Sequence, residues 1–178
     1  DDEGEIVWQE KIGKGGLLGG IEWGAAADEK NVYAPLSDLA LENSDESTGF
    51  RPSFGLGGGL FALRLRDGRK VWSAPAFRVC KERGCSPAQT AAAAVIPGVV
   101  FSGALDGHLR AYSTADGSVL WDYATAREYP ETVNGVPARG GGIDGASATI
   151  AGGMVYVNSG FGQLHGMPGN VLLAFGSE

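Results

Sequence analysis

The sequence predicts an all-β fold: a partial β-propeller of about three four-stranded blades. Three observations carry that prediction. They are an internal repeat, a glycine content far above average, and Asp-Gly turns set at a fixed distance from tryptophan. Glycine supplies 30 of the 178 residues, against roughly 7% in ordinary usage. It follows no Gly-X-Y period, which excludes collagen. It recurs in short runs between apolar segments, as in Gly57-Gly58-Gly59 and Gly140-Gly141-Gly142. That is the punctuation of many short strands joined by turns.

The repeat decides the architecture. Leu60-Phe61-Ala62-Leu63 leads to Asp67-Gly68 and then to Val71-Trp72. Leu109-Arg110-Ala111-Tyr112 leads to Asp116-Gly117 and then to Leu120-Trp121. In both copies aspartate follows leucine by 7 positions and tryptophan follows it by 12. A third copy begins at Leu172-Leu173-Ala174-Phe175, and Glu3-Gly4-Glu5-Ile6-Val7-Trp8 reads as the second half of a fourth. The preceding segments align as well. Ala25-Ala26-Ala27, Ala93-Ala94-Val95 and Ala148-Thr149-Ile150 each lead through a tight turn to Val32-Tyr33, Val100-Phe101 and Val155-Tyr156.

Each unit thus supplies a small-residue strand, a turn, and further antiparallel strands. One such sheet cannot bury both of its faces, so neighbours stack radially and shield one another. Small residues suit the innermost strand, where blades crowd the axis. The Asp-Gly turn closes a hairpin. The tryptophan five residues later is a large apolar plug between blades, which makes Trp72 and Trp121 structural. The organisation read from this is one domain over residues 1–178. Residues 1–20 are the end of a preceding blade and a linker, and blades follow at 21–77, 88–128 and 141–178. Two insertions, Leu39–Leu56 and Asp122–Gly142, lengthen the blades and are expected to cap one end of the channel.

Charge and composition exclude several functions. The net charge is −7, whereas phosphate contact needs a basic footprint, so no nucleic-acid partner is expected. No apolar stretch approaches the roughly 20 residues of a membrane span. Gly57-Gly58-Gly59-Leu60-Phe61-Ala62 fits a dinucleotide pattern but is followed by a strand and not a helix. Cys80 and Cys85 stand five apart in a polar loop. A small-loop disulfide is the first reading and free thiols the second. A metal site is not expected there, since His108 and His165 are far off in sequence.

The repeat resembles the tryptophan-docking motif of pyrroloquinoline-quinone (PQQ) propellers, the quinoprotein alcohol dehydrogenases. Three further stretches carry the resemblance. Gly20-Ile21-Glu22-Trp23-Gly24-Ala25, Gly98 to Tyr112, and Val155 to Gly162 with Gly166-Met167-Pro168-Gly169-Asn170 look like the last three blades in family order. Cys85-Ser86-Pro87-Ala88-Gln89 resembles a segment of a branch that oxidises polyvinyl alcohol.

The resemblance implies an eight-bladed ring with PQQ and calcium in its funnel. It implies a carboxylate base, and a quinone that takes hydride from a small-molecule or polymeric alcohol. A cytochrome c as electron acceptor and a periplasmic or secreted location go with it. The family's base, calcium ligands and adjacent-cysteine ring lie in earlier blades, so this chain is expected to hold one side of the funnel and no catalytic residue. That side is Ile21-Glu22-Trp23, Gln89-Thr90-Ala91 and Asp144-Gly145-Ala146, with Glu22, Trp23, Gln89 and Asp144 as candidate cofactor-binding residues. Glu22 departs from the family's asparagine and sets a like charge near an anionic cofactor, which is unfavourable unless it is protonated or paired.

Two functions compete. One is the C-terminal part of a PQQ-dependent alcohol dehydrogenase, inactive alone. The other is a non-catalytic PQQ-like propeller acting as a protein-binding scaffold. In either case the terminal faces are expected to be covered, by the remaining blades or by copies of the chain itself.

Overall fold

The computed structural model of the protein describes residues 4–15, 18–39, 57–77, 80–81, 84–162 and 166–176, together with the backbone of 41–43 and 50–52. The described secondary structure consists of fifteen strands. The first blade holds β1 (Ala26–Ala27), β2 (Asn31–Leu36), β5 (Gly59–Arg64) and β6 (Lys70–Ala74), paired in that order. The hairpin β3 (Leu41–Asn43) and β4 (Phe50–Pro52) belongs to the first insertion, most of which lies outside the described residues. The second blade is β7 (Ala94–Ile96), β8 (Val99–Gly103), β9 (His108–Ser113) and β10 (Val119–Ala124). The second insertion carries β11 (Glu128–Tyr129) and β12 (Ala138–Arg139), a short hairpin of its own. Among the described residues the third blade shows three strands: β13 (Ala148–Ala151), β14 (Met154–Ser159) and β15 (Val171–Gly176). The all-β propeller expectation holds, with three strands and not four in the last described blade.

The repeat governs detail as well as order. In the first blade Ala62 pairs with Trp72 and Leu63 with Lys70, so Val71 is extruded as a bulge. In the second, Ala111 pairs with Trp121 and Tyr112 with Val119, and Leu120 is extruded at the same place. The extra residue twists the outer strand and turns its side chain to solvent, and Val71 and Leu120 are both exposed.

The Asp-Gly turns do two jobs. Asp67 and Asp116 accept the backbone N–H two residues on, from Arg69 and Ser118, which fixes the turn by an Asx bond. The Arg64 guanidinium beside Asp67 holds its carboxyl down to about 2. The glycines that follow have φ of 69° and 74°, a conformation that side chains rarely adopt. They also leave room for an indole. A Cβ on Gly68 would come within 2.5 Å of Trp8, and one on Gly117 within 2.5 Å of Trp72. Each indole N–H then donates to a carbonyl three residues before its glycine, Trp8 to Leu65 at 2.7 Å and Trp72 to Thr114 at 3.0 Å. One seat is therefore built twice, on successive blades.

The cores lie between blades. Tyr33, Leu60, Ala62, Trp72 and Ala74 of the first blade pack on Val100 and Tyr112 of the second. Phe101, Leu109 and Ala111 pack on Ile143, Ala148 and Val157 of the third. Trp121 differs from Trp72. It is half-buried, stacks on Tyr123 with centroids 5.7 Å apart, and meets Phe175 edge-on at 5.1 Å.

Cys80 and Cys85 are joined by a disulfide. Thiol titration of oxidised, denatured protein is expected to find no free thiol. The Cys80→Ser, Cys85→Ser double variant is expected to lose about 2 kcal/mol or less, because closing so short a loop removes little chain entropy. A loss above about 4 kcal/mol in urea would show that the bridge clamps more than its own loop.

Candidate functional site

The three small-residue strands β1, β7 and β13 meet at the inner edge of the blades. Backbone bonds tie the segments just before them. The Ala93 N–H donates to Gly24 at 3.2 Å and the Ala92 N–H to Gly145 at 2.9 Å. Alanine and glycine permit this close approach because they carry little or no side chain.

Glu22 and Trp23 sit in a turn bracketed by Gly20 and Gly24, whose φ values are 91° and 136°. Both residues are exposed over much of their surface, with the Glu22 carboxyl itself partly screened from water. Ser37 anchors the base of the turn. Its N–H donates to Gly20 at 2.9 Å and its hydroxyl to Leu18 at 2.6 Å. On the opposite segment Asp144 is half-buried, and its carboxylate accepts the Gly145 N–H at 2.8 Å. Ser147 then enters β13 with φ of 52°, an unusual value for a side-chain-bearing residue.

The structure brings Glu22 and Asp144 within electrostatic reach. Partial burial pushes the Glu22 carboxyl above its ordinary value, a hydrogen bond with Ser37 opposes this, and the Asp144 charge adds to the rise. Glu22 is thereby biased toward its neutral, proton-donating form. The Thr90 and Ser147 hydroxyls, in the segments that carry Gln89 and Asp144, are buried and have no hydrogen-bond partner among the described residues.

Gln89 is placed differently. Its side chain turns into its own blade, where its amide N–H donates to the Tyr112 hydroxyl at 3.0 Å and its carbonyl accepts the Ser102 hydroxyl at 2.8 Å. Burial pushes Tyr112 up to about 12, which keeps this network neutral. Glu22 and Asp144 thus lie within electrostatic reach of one another, Trp23 stands exposed next to Glu22 in the chain, and the Gln89 side chain turns away into its own blade. Sequence reasoning passed over Ser37. It sits at the end of β2, and nothing local distinguishes it from any other loop serine.

Blades stacked on small inner strands, with indoles seated on Asp-Gly turns, define a PQQ-type propeller. Residues 1–136 match a PQQ-repeat family model described as "Outer membrane protein assembly factor BamB", and the chain belongs to that family. It is similar to two proteins named "Polyvinylalcohol dehydrogenase". One is from Pseudomonas sp, at 46% identity, and the other from Sphingopyxis sp. (strain 113P3), at 40%. Each match covers 98% of this chain, and the chain spans 27% of the length of either relative. A solved quinohemoprotein alcohol dehydrogenase, ADHIIG from Pseudomonas putida HK5, superposes with a TM-score of 0.60 at 21% identity. That match covers 98% of this chain and 21% of the other, and it bears on the fold alone. Among the described residues no helix is long and apolar enough to cross a membrane.

Proposed function

We propose that the chain forms consecutive C-terminal blades of a PQQ-dependent alcohol dehydrogenase that oxidises polyvinyl alcohol or a related secondary alcohol. In this reading it supplies one wall of the cofactor funnel. The observation that carries the proposal is 46% identity to a polyvinyl alcohol dehydrogenase along 98% of the chain.

The inner face fits a flat anionic quinone on one condition. Glu22 and Asp144 would repel it if both were ionised, and the bias of Glu22 toward the protonated form weakens that repulsion. Glu22 would then donate a hydrogen bond to a cofactor carboxylate, and Trp23 would present its indole to the ring. Partial burial first, and the Asp144 charge after it, favour the protonated form of Glu22, and in this reading Gln89 supports the wall from behind through Tyr112 and Ser102. When bound, PQQ supplies the hydride acceptor and calcium polarises its carbonyl. The disulfide suits a periplasmic or secreted location, and a cytochrome c is the electron acceptor this class implies.

The test is a graft. Residues 4–176 replace the matching segment of the Pseudomonas relative, and dye-linked oxidation of polyvinyl alcohol is measured with PQQ and calcium. Activity within about tenfold of the parent is expected, because surface changes at this identity leave the fold intact. Trp23→Ala and Glu22→Ala in the graft are expected to weaken PQQ binding. A folded graft that binds no PQQ would overturn the proposal. The 178-residue chain alone is expected to show no oxidation above a protein-free control.

A further inference from the structure

Ser37, the residue after β2, is 0% exposed. Its backbone groups are paired: the N–H donates to Gly20 at 2.9 Å, and the carbonyl accepts the Gly58 N–H at 3.0 Å. Its hydroxyl has one proton to give and two lone pairs to receive with. The proton goes to the Leu18 carbonyl at 2.6 Å. One lone pair receives the Leu39 N–H at 3.2 Å. The hydroxyl also reaches the Glu22 carboxyl. What remains for that contact is a lone pair.

The next residue fixes the direction of the hydroxyl. Asp38 has φ of 40°, a value that side chains rarely adopt. Its carboxylate accepts the Lys14 N–H through both oxygens, at 2.9 and 3.1 Å. Gly13 has φ of 74°, and a Cβ there would stand 2.7 Å from an Asp38 carboxylate oxygen. The loop that carries Gly13, Lys14 and Leu18 therefore clamps Asp38 and takes the Ser37 proton.

We propose that Ser37 is a positioning residue for Glu22: in the hydrogen bond between them Ser37 accepts and Glu22 donates. A carboxylate has no proton to donate, so this bond exists only with the neutral form of Glu22. A donating serine would favour the ionised form instead, but its one proton is held by Leu18. Among the described residues the charge that acts on Glu22 is Asp144, from the third blade's inner segment, and it too favours the neutral form. The Asp38 carboxylate is occupied by the Lys14 N–H. Glu22 is thereby kept as an uncharged proton donor. An arriving anionic oxygen draws that O–H away from Ser37, because a hydrogen bond to an ionised acceptor is about twice as strong as one between neutral groups. The ligand chemistry this selects is a carboxylate or another oxyanion. That the oxyanion belongs to the quinone rests on the function proposed above.

The test is an NMR titration of the whole 178-residue chain with isotope-labelled glutamate carboxyls. Glu22→Gln removes one resonance and so assigns it. Ser37→Ala is expected to lower the Glu22 titration midpoint, because the acceptor of its proton is gone. A midpoint that rises or stays in place reveals a donating or uninvolved serine and overturns the proposal. Ser37→Cys is nearly isosteric and a weaker acceptor. It is expected to shift the midpoint downward as well, and it decides the matter by the same criterion where the alanine variant does not fold. A purely structural role for Ser37 would change the denaturation midpoint without lowering the Glu22 titration. In the graft described above, PQQ affinity is expected to be full below the Glu22 midpoint and to fall as pH rises through it, and Ser37→Ala is expected to move that fall to lower pH. A graft that binds no PQQ, beside a Glu22 midpoint that drops in Ser37→Ala, sinks the cofactor reading and supports the role of Ser37. A graft that binds PQQ, beside a midpoint that does not drop, sinks the role of Ser37 alone.

Discussion

Replacing Trp72 with alanine is expected to lower the unfolding free energy by about 3–5 kcal/mol, the usual loss for a buried large aromatic. Three contributions fall together. The indole is 9% exposed and fills the space between the first two blades, against Tyr33, whose ring centroid is 5.8 Å away. It occupies the hollow over Gly117. It also satisfies the half-buried Thr114 carbonyl, and leaving that bond unmade adds a further, smaller penalty. Gly117→Val attacks the same seat from the other side. It places a branched side chain at φ of 74° and drives its Cβ into the indole. A loss comparable to that of Trp72→Ala is expected. Trp121→Ala, read from sequence alone, belongs at the same 3–5 kcal/mol. The structure lowers that expectation to about half, because Trp121 has no glycine seat among the described residues and rests on Tyr123 and Phe175. Urea denaturation of the three variants settles the order. Trp72→Ala within about 1 kcal/mol of the parent, or Trp121→Ala costing more than Trp72→Ala, would show that the seat does not bind the blades together.

That ranking marks how far the sequence was legible. The Leu–Asp–Trp spacing located β5, β6, β9 and β10, and the alanine-rich segments located the inner strands. Both signals are local and repeat in register. What repeats imply about neighbours is less secure. Trp121 has the same local pattern as Trp72, but its burial depends on whatever stands opposite. Gln89 shows the same limit. Its position before an inner strand suggested the axis, yet a side chain can turn either way there, and Tyr112 and Ser102 hold it inside the blade. The hairpin of β11 and β12 has two residues on each side, too few for any period to show. For Glu22 and Asp144 the reverse holds. They are 122 positions apart in sequence, and only their shared relation to the inner strands brought them onto one face.

The least legible residue predicts the second large effect. An arginine between Leu109 and Ala111 reads as a solvent-facing strand position, yet Arg110 is fully buried. Its guanidinium lies 4.6 Å over the Phe77 ring. It donates to Asp106 at 2.8 and 3.4 Å and to Asp122 at 3.3 Å. Burial works against its charge, and the Asp106 carboxylate more than restores it. Asp106 also accepts the His108 N–H at 2.9 Å, and Asp122 stands 2.6 Å from the His108 ring. The pair is thus buried, hydrogen-bonded on both sides and anchored to the β8–β9 turn. Asp106→Ala leaves a buried cation with only the half-exposed Asp122 to answer it. A loss of about 3–5 kcal/mol is expected, the usual consequence of breaking one side of a buried pair. Asp106→Asn keeps one acceptor oxygen, turns its NH2 toward the remaining N–H donor, and is expected to lose less than Asp106→Ala. Asp106→Leu with Arg110→Met removes both charges at similar volume, and such replacements are often neutral or stabilising by 1–4 kcal/mol. The double variant is therefore expected to be more stable than Asp106→Ala alone, although it carries one more substitution. Urea denaturation of the set decides it. If Asp106→Ala costs under about 1 kcal/mol, or if the double variant is the least stable of the three, the orphaned Arg110 charge is not what Asp106 holds in check.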